Sequence, residues 1–189
     1  MTFRIEEKIP LTYSEMIKLY ENLMKDGMKP LFKKRKIFST YFETSTLNMF
    51  NDSEEGVLPR KKIRVRHYPG SLFDYSLEIK YSSIEGRFKS SNKISFSEYD
   101  RYMQNGIFDN LYGICMPLIE VTYKREYFQI GNIKVNFDKD IFYRSFKNKK
   151  IEKKDNWSVV EIKGPGDLNT DYLKSLIPIP RKRFSKFSN

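Results

Sequence analysis

Three segments of this chain carry a glutamate and a lysine two residues apart, each within a run that favours a β-strand. A fourth strand-like segment carries two arginines at the same spacing. The four pairs are Glu6 and Lys8, Glu78 and Lys80, Glu161 and Lys163, and Arg64 and Arg66. Because residues i and i+2 of a strand point to the same face, the members of each pair lie side by side. Four such strands predict a charged concave face or barrel interior that binds a polyanion and a metal.

A simpler interpretation of these pairs is also open. A glutamate and a lysine at this spacing often form an ion pair on a solvated strand face, which contributes less than about 1 kcal/mol. The recurrence of the pattern on several strands of one small chain favours a shared site over independent surface pairs.

The chain of 189 residues is expected to form a single domain that spans residues 1–189. It has 35 lysines and arginines against 24 acidic residues, a formal net charge of +11. Such an excess favours an anionic partner, which could be nucleic acid, a phosphorylated metabolite, polyphosphate or anionic lipid. A lysine-rich surface that only aids solubility is the alternative.

The sequence also excludes several common classes of protein. Its one cysteine, Cys115, lies in an apolar run and is interpreted as a buried hydrophobic residue, which fits a reducing compartment. We find no signal peptide and no apolar stretch long enough to span a membrane, so a cytoplasmic protein is expected. Phosphate-binding glycine loops and zinc-binding motifs are missing as well.

About eight or nine strands and three or four short helices are predicted, joined mostly by links of hairpin length. A first strand over 3–9 ends at Pro10, a helix begins near Thr12, another covers 45–51, and a final strand covers 181–187. Hairpin links imply an antiparallel sheet, and a sheet of this many strands tends to close or fold over. The predicted fold class is therefore α+β, a closed antiparallel β-barrel with flanking short helices and charged side chains inside.

These residues, in this order, resemble the VTC domain, the polyphosphate polymerase branch of the triphosphate tunnel metalloenzymes. The matching segments span nearly the whole chain. They are RIEEK at 4–8, YFET at 41–44, RKKIRVRHY at 60–68, YSLEIK at 75–80, GRFK at 86–89, VTYKREYF at 121–128, IKVNFDKD at 133–140, WSVVEIKG at 157–164 and RFSKFS at 183–188.

The resemblance implies a closed β-tunnel that transfers the terminal phosphate of ATP to a polyphosphate chain with Mn²⁺ or Mg²⁺. It also implies which residues act. Those expected to bind phosphate are Lys8, Arg64, Arg66, Lys80, Lys89, Arg125, Lys134 and Lys186. Six of these are also catalytic candidates, namely Lys8, Arg64, Arg66, Lys80, Arg125 and Lys186. Glu161 is the expected principal metal ligand, and Glu6 belongs to the first-strand signature and is the second candidate ligand.

Three positions depart from the family pattern. Glu43 stands where an aspartate is usual, Lys134 replaces an arginine, and Arg4 replaces the first glutamate of the wider superfamily. Two alternative functions therefore stay open: hydrolysis of tripolyphosphate or a nucleoside triphosphate in the same tunnel, or non-catalytic binding of polyphosphate or RNA. Aromatic residues are abundant but form no RNA-binding signature, so nucleic acid is the less favoured partner.

Overall fold

The computed structural model describes residues 4–70, 74–148, 151–181 and 184–186. Ten strands and four helices alternate along this part of the chain. They are β1 (Arg4–Leu11), α1 (Tyr13–Lys25), β2 (Lys29–Glu43), α2 (Asn48–Glu55), β3 (Arg60–His67), β4 (Tyr75–Ser83), β5 (Gly86–Ile94), α3 (Phe96–Asn105), β6 (Ile107–Asp109), β7 (Gly113–Ile130), β8 (Ile133–Ser145), β9 (Glu152–Lys154), β10 (Ser158–Pro165) and α4 (Thr170–Leu176).

Eight of these strands form one curled antiparallel sheet in the order β1-β10-β8-β7-β2-β3-β4-β5, with β6 added to β7 and β9 to β8. Irregularities in the ladders between β2, β7 and β8 sharpen the curvature, as bulges do in antiparallel sheets. One of them lies beside Asp140, which has a positive φ of 50°. The α+β class, the antiparallel sheet of about eight strands and the short flanking helices are confirmed.

The prediction of a closed barrel is wrong in one respect, because the sheet is a half-barrel whose two edges stay apart. Within the described residues, β1 pairs only with β10 and β5 only with β4. The edges differ from inner strands in composition: β1 contains Pro10, and β5 is exposed from Arg87 to Lys93 and rich in polar residues. Proline and exposed lysines on an edge strand oppose further backbone pairing.

One apolar cluster lies beneath α1 and α4 on the outer face of the sheet. Met16, Leu19 and Leu23 recur at helical spacing and pack against residues such as Ile9 and Val160. A capping box at Thr12, in which the side chain of Glu15 returns to the Thr12 backbone, starts α1 where the sequence predicted it.

A second outer cluster lies beneath α2 and α3 and contains the buried Cys115, as predicted. The start of α2 depends on Glu43, which is 2% exposed. Its carboxylate accepts hydrogen bonds from the backbone N–H groups of Met49 and Phe50 at 3.1 and 2.9 Å. Glu43, whose side chain is longer than that of the aspartate usual at this position, therefore has a structural role. It accepts hydrogen bonds from the free N–H groups of a helix terminus.

Several predicted boundaries are wrong. β1 continues through Pro10 to Leu11, because the missing N–H of a proline is tolerated in an edge strand. The helix expected over 45–51 lies at Asn48–Glu55 instead. Within 181–187, the described residues 181 and 184–186 form no strand, since Lys186 lies in a turn, and the rest of this segment lies outside the described residues.

No helix in the described part of the chain has the length and hydropathy needed to cross a membrane.

Candidate active site

The concave face of the half-barrel encloses a cavity of about 730 Å³. Among the described residues, thirteen lysines and arginines but only three glutamates line it. Strand alternation accounts for much of this composition, because Lys8, Arg64, Arg66, Lys80, Arg125 and Glu161 each lie on the concave face of their strand. The charged interior inferred from the four pairs is present.

Three of the cations share one carboxylate, that of Glu78. The guanidinium of Arg64 donates to Glu78 from Nε at 2.7 Å and from Nη2 at 2.5 Å. The ammonium of Lys89 donates to the other oxygen at 2.7 Å, and Arg66 Nη1 lies 3.6 Å from it. Register explains the cluster, since Arg64 and Glu78 are cross-strand partners in β3 and β4. Glu78 therefore holds three phosphate-binding candidates in place.

A second group surrounds Asp138, which is fully buried. Arg125 donates to both of its carboxylate oxygens, at 2.6 and 2.7 Å, in a bidentate pair. Lys186 donates to the same carboxylate at 2.5 Å and lies 4.7 Å from the centre of the Tyr123 ring. Asp138 thus fixes the C-terminal segment against the cavity wall.

Glu161, the expected metal ligand, is 4% exposed and lies among cations of β1, β7 and β10. Its Oε2 forms an ion pair with Arg125 Nη2 at 2.7 Å. The same oxygen accepts no hydrogen bond of regular geometry. Its Oε1 is 3.4 Å from Lys163 and 3.9 Å from Lys8. The carboxylate therefore has a buried oxygen with unused capacity to accept.

The other metal candidate, Glu6, shares Lys8 with Glu161. Lys8 Nζ lies 3.2 Å from Glu6 Oε1 and 3.9 Å from Glu161 Oε1. Glu6 also lies 3.9 Å from Lys80, so this contact spans the gap between the β1 and β5 sides of the half-barrel. Groups of three or more acidic, His or Cys ligands do not occur among the described residues. Two carboxylates fit Mg²⁺ or a similar hard cation when phosphate oxygens complete its coordination.

The charge in the cavity shifts the pKa of several groups. Burial raises the pKa of Tyr41, but Arg64, Arg66 and Lys186 together lower it to about 8. Burial and the nearby Lys8 lower the pKa of Lys80 to about 8 as well. The lowered pKa of Tyr41, and the contribution of Lys8 to the lowered pKa of Lys80, reflect an excess of positive charge that an anion would relieve.

The pKa values of two buried carboxylates are lowered, although burial by itself would raise them. Desolvation raises the pKa of Glu78, but Arg64 and Arg66 lower it to about 2. Burial likewise opposes ionisation of Glu161, and Arg125 and Lys163 nevertheless hold its pKa well below the ordinary value. Both carboxylates are therefore anionic at neutral pH.

Nine of the ten predicted site residues line the cavity. They are Glu6, Lys8, Arg64, Arg66, Lys80, Lys89, Arg125, Glu161 and Lys186. The exception is Lys134, which is exposed on β8 opposite Lys163 and lies outside the lining. Lys134 is the second residue of β8 and shares a strand face with Asp138. The individual roles of all ten remain predictions.

Sequence reasoning missed several lining residues. Tyr41 accepts a hydrogen bond from Arg64 at 3.0 Å, and Tyr123 interacts with Arg66 at 3.3 Å. Lys62 lies on the inward face of β3 and contacts Ser185 at 3.3 Å. The alternation that selected Arg64 and Arg66 would also have selected Lys62, but the tyrosines carry no comparable signal.

Comparison with solved structures supports the same fold. A Bacillus halodurans protein described as a candidate adenylate cyclase has a TM-score of 0.66 at 12% identity, over 97% of this chain and 94% of its own. A conserved hypothetical protein of Pyrococcus furiosus has a TM-score of 0.58 at 13% identity, over 94% and 92%. At these identities the likeness shows the fold alone.

A third similar structure is a Hippeastrum protein described as a candidate adenylyl cyclase with a dominant triphosphatase activity. Its TM-score is 0.55 at 13% identity, over 93% of this chain and 85% of its own. A comparison with curated proteins found no match. The family model of the VTC domain matches residues 3–189, and the chain therefore belongs to the VTC domain family.

Proposed function

We propose that this protein is a metal-dependent polyphosphate polymerase that transfers the terminal phosphate of ATP to a polyphosphate chain in the half-barrel cavity. The observation that carries the proposal is the convergence of nine predicted residues on one strongly basic cavity in a VTC family chain. Arginines and lysines are suited to phosphate oxygens because they form charge-assisted hydrogen bonds, and arginine can bind two oxygens at once.

The cations of the cavity would hold and orient the phosphates. Arg64 and Arg66 are fixed by Glu78, and Arg125 is fixed by Asp138, so their donors are positioned before a substrate arrives. Preorganised donors lower the barrier of phosphoryl transfer through positioning and charge stabilisation. Lys8 and Lys80 lie nearer the solvent and would guide the phosphates inward.

Glu161 and Glu6 would hold the divalent cation. Both approach Lys8, and Glu161 has a buried oxygen without a hydrogen bond. A bound Mn²⁺ or Mg²⁺ would neutralise charge on the transferred phosphate. Arg125 keeps Glu161 ionised and so keeps its oxygens available to a cation.

The test is incubation of the purified protein with ATP and Mn²⁺ or Mg²⁺, with the products resolved on a gel. Long phosphate chains are expected. Free phosphate and ADP without chains would contradict the polymerase assignment. Lys34→Ala, which removes an exposed cation of β2 outside the cavity, is the matched control for Arg66→Ala. Only the cavity variant is expected to lose chain formation.

Hydrolysis of tripolyphosphate or a nucleoside triphosphate is the second candidate. The triphosphatase activity of the structurally similar Hippeastrum protein favours it. The same cavity residues would bind the substrate, with water as the acceptor. Release of one phosphate from tripolyphosphate, with no longer chain formed from ATP, would select this candidate.

A further inference from the structure

The first half of β2 is a strongly basic, exposed segment outside the cavity. No acidic residue occurs between Asp26 and Glu43. Five exposed cations lie in this interval, and none of them lines the cavity or forms an ion pair with a described residue. They are Lys29, Lys33, Lys34, Arg35 and Lys36. We refer to residues 29–36 as the basic arm.

The register of the basic arm places like charges opposite each other. Arg35 faces Arg125 across the ladder between β2 and β7, and Lys36 faces Lys124. Carboxylates of β8 pair with the two β7 cations but not with those of the arm. Like charges directly opposite each other in a sheet are destabilising. The uncompensated cations of the arm therefore indicate an anionic partner outside the chain.

A bulge in the basic arm gathers two more cations. The ladder between β2 and β7 shifts register after Phe32 and resumes at Arg35. Lys33 and Lys34 therefore lie together opposite the single residue Glu126. The carboxylate of Glu126 compensates neither of them, since it forms an ion pair with a lysine of β8 at 2.9 Å.

One edge of the basic arm has no neighbouring strand among the described residues. β3 pairs with β2 only from Phe38 to Phe42, so the segment before Phe38 is an edge. Exposed lysines on this edge oppose pairing with another strand, which leaves the side chains themselves as the binding groups. An extended segment of this length spans about 26 Å. The arm therefore presents a long line of positive charge.

A large apolar side chain lies among these cations. Phe32 is 56% exposed and contacts the Tyr127 ring edge to face, with the ring centres 5.8 Å apart. A polyphosphate chain offers no apolar surface to such a ring. Single-stranded nucleic acid stacks successive bases on several aromatic side chains, and the arm has one. A lipid bilayer combines anionic headgroups with an apolar layer beneath them, so it fits both the cations and the ring.

We propose that the basic arm binds the anionic surface of a lipid bilayer, with its cations at the headgroups and Phe32 in the interfacial layer below them. The contact is electrostatic and reversible, since it uses a few side chains at the surface and no spanning segment. Because the cavity takes no part in it, this inference does not depend on the proposed function.

Vesicle cosedimentation measures this contact. The full chain is incubated with vesicles of phosphatidylcholine alone or of phosphatidylcholine mixed with phosphatidylserine. Binding is expected only with phosphatidylserine and should weaken with added salt, since salt screens the charges. Lys33→Ala combined with Lys34→Ala should lower the partition coefficient roughly twenty-five-fold, at about fivefold for each cation near an anionic surface. Phe32→Ala should lower it about fivefold without changing its dependence on salt.

The matched control removes two exposed cations elsewhere, through Lys18→Ala in α1 combined with Arg101→Ala in α3. It has the same net charge as the arm variant and is expected to bind as the wild type does. Far-ultraviolet circular dichroism confirms that each variant is folded. Equal binding by the arm variant and this control, or no binding of the wild type to phosphatidylserine vesicles, overturns the proposal.

Two further outcomes would assign the anion to another place or another class. Loss of vesicle binding in Arg66→Ala, with the arm variant unaffected, would place the contact at the cavity and overturn the proposal. Binding of a single-stranded oligonucleotide that is lost in the arm variant, without any binding to vesicles, would make the arm a nucleic-acid surface and the lipid assignment wrong.

Discussion

Replacement of Glu78 by glutamine tests whether this carboxylate balances the cations of the cavity. The pKa of Glu78 falls from 4.5 to about 2, although the side chain is only 6% exposed. At 1.36 kcal/mol per pKa unit, its ionisation contributes about 3 kcal/mol of stability at pH 7. Glu78→Gln leaves Arg64, Arg66 and Lys89 without their shared anion, so urea unfolding at pH 7 is expected to show a loss of about 3 kcal/mol.

The stabilisation by Glu78 is expected to depend on pH. Because the pKa of Glu78 is depressed on folding, the stabilisation is complete above pH 4.5 and is lost as the pH falls towards 2. By pH 4 the difference between wild type and variant should shrink by roughly 1 kcal/mol. Glu21→Gln, which changes an exposed glutamate of α1, is the control. The reasoning is refuted if Glu78→Gln unfolds at the same urea concentration as Glu21→Gln, or if the difference does not change with pH.

A phosphate ligand should compensate for the missing carboxylate. Tripolyphosphate is expected to stabilise Glu78→Gln more than wild type in the same unfolding experiment, because the ligand no longer competes with Glu78 for the arginines. For Glu161→Gln, turnover should be abolished while tripolyphosphate binding, followed by calorimetry, is largely kept; loss of both with the fold intact would argue against a metal role. Tripolyphosphate affinity should fall above about pH 8, by up to about tenfold per pH unit for each group, as Lys80 loses its proton and Tyr41 becomes anionic. Lys80→Arg should move this decline to higher pH, and an unchanged profile would exclude Lys80 as its source.

The wall of the cavity was predictable from the sequence because alternation along a strand is a local property. Glu78, Lys80, Arg64 and Arg66 were assigned to one face without knowledge of their neighbours. The antiparallel order followed from short links for the same reason. The depth of each cation was not accessible in this way, since it depends on the curvature of the whole sheet.

Alternation along single strands does not predict features that depend on long-range packing. Alternation cannot report whether the edges β1 and β5 meet, and the structure leaves them apart. It cannot tell that Lys134 lies outside the cavity lining although it shares a strand face with Asp138. Lys186 was selected through the family resemblance, but its contact with Asp138 joins segments distant in sequence that no local pattern connects.

The cavity is assembled from both ends of the described chain. Lys8 comes from β1, which among the described strands forms a ladder only with β10, and Lys186 follows the last described strand. Contacts of such long sequence separation form slowly, because the intervening chain must first be ordered. Local hairpins such as β3–β4 can form earlier, but the complete set of cations cannot. In a refolding experiment, recovery of polyphosphate binding should therefore lag behind recovery of the far-ultraviolet circular dichroism signal.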